Sequence, residues 1–342
     1  MSTVVIDLAN GKCSLRGESM QVAGTTWEDA AAGEGEEEGA PVINRSIPLR
    51  QVSHVMVCPQ VTLSGALIQE LLLRGAGVTF MGRTGPLGVL EPGFPAKGAL
   101  RLEQYRRSCE EEWCMRQARV IVATKIFNQA FMLRRRQAPP ADAFFKSMKS
   151  LQKETLQACS AQELMGVEGR AAALYFPEWA RGLPPAFPFT GRTRRPPQDP
   201  VNACLSYLAA LCHGDMLCAI LESGLDPDLG VLHSIEDYRH NLALDLMEPY
   251  RPILVEGVTR DILTHGMLGE DGTEIHEEDG GCYLSHTGRV VVIRRYRQRM
   301  DTSFTHQGKP CTLRDCMRET ARSWKNAVTS PAETASNFKL SS

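Results

Sequence analysis

The sequence is poor in the features that most quickly narrow a protein's class. Its 11 cysteines include no C-x-x-C pair and no regular framework. That argues against a structural zinc site and a disulfide scaffold, and fits free thiols in a reducing cytoplasm. Neither sign of charge dominates: the formal net charge is -2 and the isoelectric point is near 6.5. Nucleic-acid binding must therefore rest on local basic clusters rather than on overall charge. No signal-like segment precedes the first candidate strand, VVIDL, and no run is apolar for long enough to span a bilayer. The best run, Val201 to Leu221, is interrupted by Asn202, His213 and Asp215. The expectation is a cytoplasmic protein without a membrane contact.

What is present suffices for two domains: 342 residues with 43% hydrophobic content can bury a core without staples. The fold class expected is α+β, a small N-terminal β-rich domain followed by a larger all-α C-terminal domain. The first part, residues 1–95, carries short β-branched runs. VVIDLANGKCSLRG places Asn10-Gly11, a common hairpin pair, between two of them, and VSHVMVCPQVTL and GVTFMG follow. ALIQELLLRGAG between these runs predicts one short helix closed by Gly75 or Gly77. An acidic, small-residue stretch near residues 28–41 (AAAGEGEEEGA at its centre) predicts a solvated, disordered loop insertion. The Gly/Pro-rich GPLGVLEPGFPAKG marks the boundary, and residues 96–329 form the helical domain. Helical spacing runs from Leu100 to Gln137 and from Phe144 to Gln157. Ser160 stands three residues before Glu163 in a capping-box arrangement, and Asp199-Pro200 predicts the start of a helix that stops at Gly224. A further helix begins near Leu242 and kinks after Glu248, because Pro249 and Pro252 cannot donate backbone hydrogen bonds. Residues 330–342 read as a loose polar tail.

Chemistry concentrates in GVLHSIEDYRHNLALDLMEPYR, residues 230–251. His233 ends a short apolar segment, and Asp245 and Glu248 lie three apart, on one helical face. An imidazole and carboxylates converging on a point suit a divalent ion such as Mn2+ or Mg2+. Glu168, flanked by Gly166, Gly169 and alanines in a helical run, is the candidate for the missing carboxylate. Plainer readings coexist: Glu168 as a solvated helix face, His233 as an ordinary core or surface residue, and Asp245 and Glu248 as an acidic first turn favoured by the helix dipole.

Four ordered segments carry more information: GVEGRAAALYF, GRTRRPPQDPVNACLSYLAAL, GLDPDLGVLH and ALDLMEPYRP, with KIFN (Lys125 to Asn128) before them and TLRD after. In this order and spacing the chain resembles the CRISPR-associated spacer-acquisition integrases, the first of the Cas protein families, over nearly its whole length. The resemblance implies a metal-dependent DNA integrase or endonuclease that inserts protospacer DNA into a CRISPR array by attack of a 3′-hydroxyl on a repeat-end phosphodiester. It implies Mn2+ or Mg2+ held by Glu168, His233 and Glu248, with Asp245 as a fourth catalytic residue that supports the site electrostatically or as a further ligand. The histidine must be neutral to ligate, so activity is expected to fall as pH drops through its titration. Double-stranded DNA and a second Cas protein are the implied partners, and a homodimer through the β-domain the implied assembly. Arg192, Arg194 and Arg195 in the loop before the Asn202 helix, with Arg170 beside Glu168, are the candidate phosphate contacts. The Arg289 to Arg299 cluster is a second candidate, or merely a polar helix face. Two rival functions stay open: a structure-specific nuclease using water as nucleophile, and a non-catalytic DNA-binding scaffold.

Overall fold

A computed structural model of the chain describes residues 2–25, 42–82, 85–92, 97–232, 240–330 and 332–340. The acidic insertion near 28–41 and His233 lie outside the described residues. The chain divides into two compact units, Met1–Ala96 and Lys97–Ser342.

The first unit holds two four-stranded sheets. One has the order β1 (Ser2–Ile6), β5 (Val52–Val57), β7 (Gly77–Met81), β8 (Pro86–Leu90), parallel except for the last pair. The other has the order β4 (Val42–Pro48), β3 (Ser19–Thr25), β2 (Ala9–Arg16), β6 (Thr62–Leu63). Helix α1 (Gly65–Leu73) begins at Ser64, whose hydroxyl accepts the N–H of Leu67, and gives way at Gly75, φ +77°, to the chain leading into β7. Val4, Met20, Val55, Leu67, Leu71 and Val78 belong to its hydrophobic core. The expected hairpin at Asn10-Gly11 is not there. β1 and β2 lie in different sheets, and the hairpin joins β2 to β3 through Gly17, φ +58°. Asn10 does take a left-handed conformation, φ 51°, but inside β2, where the register with β3 shifts between Ala9 and Lys12. The residue pair suited to a turn serves a bulge instead. A Cβ on Gly24 of β3 would meet the Gly11 backbone at 2.9 Å, so the bulge brings two main chains too close for side chains.

The second unit is helical: α2 (Gly98–Ser108), α3 (Glu111–Arg134), α4 (Asp142–Thr155), α5 (Ala161–Ala180), α6 (Pro200–Ser223), α7 (Asn241–Met247), α8 (Gly257–Thr264), α9 (His286–Asp301) and α10 (Leu313–Thr329). Two short ribbons, β9 (Thr273–Ile275) with β10 (Cys282–Leu284) and β11 (Phe304–His306) with β12 (Lys309–Cys311), interrupt the otherwise all-α part. Asp199 caps α6 by accepting the N–H of Asn202 at 2.8 Å, Pro200 takes the first turn, and Gly224, φ 84°, closes it. α6 is long and apolar enough to cross a membrane by composition, but it is largely buried as the unit's central helix. Its one buried carboxylate, Asp215, accepts from Arg314 Nη1 at 2.6 Å and Tyr296 Oη at 2.8 Å, tying α6 to α10 and α9.

Residues 332–340, expected as a loose tail, are docked. Gln117 Oε1 accepts the N–H of Ala335 (2.8 Å) and its Nε2 donates to the carbonyl of Glu333 (3.2 Å). Asn128 Nδ2 donates to the carbonyl of Phe338 (2.9 Å) and its Oδ1 accepts the N–H of Leu340 (3.0 Å). Ala335 and Phe338 are buried, and Phe338 stacks on Tyr250. Two apolar residues and two amide side chains on α3 thus hold a segment whose composition is polar.

α6 also carries a pH-sensitive group. Burial, followed by the neighbouring His240, pushes His213 down to about 3, whereas an unfolded histidine titrates near 6.5. As pH falls below about 6.5 the unfolded chain takes the proton first, so stability contributed by the neutral ring is full above that pH and declines towards 3, by at most about 1.4 kcal/mol per pH unit. Denaturant unfolding at pH 7.5 and 5.5 is expected to show a smaller loss for His213→Gln than for the natural chain, by about 1 kcal/mol. Equal losses would show that His213 is not the group responsible.

Candidate active site

The site assembles from three segments of the helical unit. α5 begins at Ser160, whose Oγ accepts the N–H of Glu163 at 3.2 Å, while Glu163 Oε2 reaches back to the N–H of Cys159 at 2.7 Å. This reciprocal cap is a variant of the expected box, shifted one residue outward. It sets the register that presents Glu168, two turns on. A Cβ at Gly166 or Gly169 would meet nothing within 4 Å. These glycines face open space rather than the close helix contact that their size invites.

α7 ends at Met247, and the chain continues as a tight turn, Glu248–Tyr250, and a π-helical segment, Pro252–Glu256, before α8. Pro249 and Pro252 lack the N–H that a regular helix needs, and the expected kink takes this form. The irregular stretch buries Glu248 and Glu256 and carries Arg251 between them. Asn128 Nδ2 braces it from α3 by donating to the carbonyl of Pro249 at 2.8 Å.

Glu168 and Glu248 converge on one cation. Lys125, on α3, places its Nζ 2.5 Å from Glu168 Oε1 and 2.5 Å from Glu248 Oε2. The two carboxylate oxygens are therefore separated by at most twice that distance. Glu248 Oε1 accepts from Arg251 Nη1 at 3.2 Å, and Arg251 Nε lies 3.9 Å from Glu256 Oε1. Burial disfavours the charged form of Lys125, but Glu248 and then Glu168 outweigh it and raise its affinity for the proton. Arg251 follows the same pattern: burial opposes its charge, and Glu248 and Glu256 more than restore it. Burial raises Glu256 above the usual carboxylate range, with Arg251 and Lys125 pulling the other way.

Asp245 does something different. Its Oδ2 accepts two backbone hydrogen bonds, from Val231 at 2.6 Å and Leu232 at 2.9 Å, and it is fully buried. These are the last two residues described before His233. A Cβ on Gly230 would stand 2.6 Å from the same oxygen, so the chain can wrap the carboxylate only with glycine there.

Of the candidate phosphate-contact arginines, Arg194 feels Glu248 and Glu168, and Arg192 feels Glu256 and Asp199. Burial, then the charges of Arg251 and Arg194, lower Arg192 to about 9. Its Nη1 donates to Asn202 Oδ1 at 2.8 Å, and Asn202 Nδ2 in turn donates to the Gly191 carbonyl at 2.9 Å, which bolts the basic loop to α6. Arg194, at the solvent side, is lowered by partial burial and by Arg251, while Glu248 and Glu168 act in the opposite direction. Arg195 is exposed in the same loop. Arg170 turns to α4, where Glu154 is its ion partner.

The family described as CRISPR associated protein Cas1 matches residues 33–298. The chain belongs to this Cas1 family. A CRISPR-associated Cas4/Cas1 exonuclease–endonuclease fusion of Rhodospirillum rubrum is 34% identical over 77% of the chain, which spans 47% of that relative's length. The chain thus spans about half the length of such fusion relatives. A CRISPR-associated endonuclease Cas1 of Thermus thermophilus is 34% identical over 79% of the chain and 82% of its own. Among solved structures, a casposase bound to integration product superposes with a TM-score of 0.82 at 19% identity, covering 98% of this chain and 92% of that one. At that identity the likeness speaks for the Cas1 fold: a β-rich N-terminal part and a larger helical one.

Lys125, Arg251 and Glu256 were not singled out by sequence reasoning as site residues. The signal for Lys125 was there: a single ammonium inside VIVATKIFNQAF, on a helix that buries Ile121, Val122 and Ile126, demands a partner.

Proposed function

We propose that this Cas1 family member is a metal-dependent DNA integrase of CRISPR adaptation, joining the 3′-hydroxyl of protospacer DNA to a phosphodiester at a repeat end. The observation that carries the reading is the convergence of Glu168 and Glu248 on a single cationic point beside a basic loop. Two carboxylates that already share one cation have the donor chemistry of a divalent oxygen site, with His233 as the implied nitrogen ligand. Bound Mn2+ or Mg2+ would polarise the phosphate and lower the pKa of the attacking hydroxyl.

The remaining roles belong to the chain. Arg192 and Arg194 hold the phosphodiester near the carboxylates, and Arg195 and Arg170 contact the DNA backbone further out. Arg251 keeps Glu248 ionised and oriented. Asp245 is a positioning residue that fixes the segment leading into His233 and does not ligate. Duplex DNA, a second copy of the chain and the second Cas protein are the proposed partners.

The test incubates the protein with a plasmid carrying a repeat array, a labelled duplex and Mn2+, with and without the companion protein. Labelled duplex joined to the plasmid is the expected product. Nicked plasmid alone would make water the nucleophile and the protein a nuclease. Retention of DNA without any cleaved or joined product would leave a scaffold.

A further inference from the structure

Lys125 occupies the place where the reading above puts a metal ion, and this inference rests on that reading. We propose that Lys125 is an internal counter-cation that holds Glu168 and Glu248 together while the site is metal-free, and that the divalent ion must displace it. The ammonium emerges from an apolar stretch of α3 and lies within 2.5 Å of an oxygen of each carboxylate. Without it, two carboxylates, one of them buried, would face each other with less positive charge between them, and like charges at this separation push apart. The ammonium therefore preserves the convergence that the metal needs.

The two oxygens that Lys125 Nζ engages are the ones that would hold the divalent ion, so the ammonium and the ion would compete for them. The lysine has somewhere to go: its four-carbon stem is flexible, and Glu168 lies on the solvent side, 24% exposed against 6% for Glu248. Exchange of a singly charged ammonium for a doubly charged ion also adds one positive charge between the two carboxylates, which favours the approach of a DNA phosphate. Lys125 thereby lowers apparent metal affinity, since the site competent to bind is the fraction with the lysine swung out.

Two measurements on the chain test this. Calorimetric titration with Mn2+ is expected to give Lys125→Met an affinity about 10-fold tighter than the natural chain, together with a lower melting temperature in chelator and a larger rise in it on adding Mn2+. Lys125→Arg, which restores a cation, should lose the gain in affinity. Should the methionine variant not fold, the natural chain still reports: reductive methylation followed by peptide mass spectrometry is expected to label Lys125 several-fold more with saturating Mn2+ than in chelator. Mn2+ binding by the natural chain without any change in Lys125 labelling, or unchanged or weaker binding by a folded Lys125→Met, overturns the counter-cation role alone. Absence of Mn2+ binding by the natural chain overturns the metal-site reading, and this inference with it.

Discussion

Glu168→Gln is expected to reduce metal-dependent strand transfer by at least about 100-fold while leaving the fold intact. Loss of a group that merely supports a metal ligand costs about 10–100-fold, and Glu168 is proposed to contact the ion itself. Amide for carboxylate keeps the shape, and Glu168 is only half-buried, so the change in stability should be small beside the change in activity. Glu248→Gln should lose as much activity and also destabilise. Its two oxygens face Lys125 and Arg251 inside the protein, and breaking a buried pair on one side typically costs about 3–5 kcal/mol. Circular dichroism and denaturant unfolding beside the transfer assay separate the two effects. A folded Glu168→Gln protein that joins DNA at the natural rate would remove Glu168 from the chemistry.

The second large effect belongs to Asp245. Replacement by Ala strands the N–H groups of part-buried Val231 and buried Leu232, and each unsatisfied buried donor costs about 1–3 kcal/mol, for a combined loss of at most about 2–6 kcal/mol. Asp245→Asn keeps an oxygen that can accept both bonds and gives up only their charge assistance, so about 1–2 kcal/mol is expected. Because the two N–H groups lead directly into His233, the Ala variant should also bind Mn2+ more weakly at temperatures where it is folded. If Asp245 were instead a metal ligand, Asn would impair metal binding without the loss of stability in chelator.

Much of the helical unit was legible because its punctuation is local. Asp199, Pro200 and Gly224 are visible in the string and do in the structure what they do in any helix. The β-rich unit misled at Asn10-Gly11 because a left-handed residue serves a bulge as well as a turn, and only the pairing of β1 with β5 rather than β2 decides between them. The same limit applies at the site. Spacing put Asp245 and Glu248 on one helical face, yet their tasks diverge through partners fourteen residues back, at Val231, and on a helix more than a hundred residues earlier, at Lys125. A carboxylate bound by main chain and one bound by an ammonium look alike in a sequence. The tail was misread for a related reason: Gln117 and Asn128 are amides inside a helix, and nothing near them in the chain names Ala335 or Leu340 as their partners.

Asn128 joins the Pro249 carbonyl to a stretch of chain 212 residues beyond itself. A ribosome adding about 5–20 residues per second needs roughly ten seconds or more to travel that far. Once the turn bearing Glu248 has been made, it waits for the rest of that interval for the support that Phe338 and Leu340 complete. A chain cut short between Tyr250 and Phe338 keeps the bond from Asn128 to the Pro249 carbonyl but loses the Phe338 ring that stacks on Tyr250 behind the turn bearing Glu248. Synthesis itself thus makes the support of the Glu248 turn a late step in completing the proposed site.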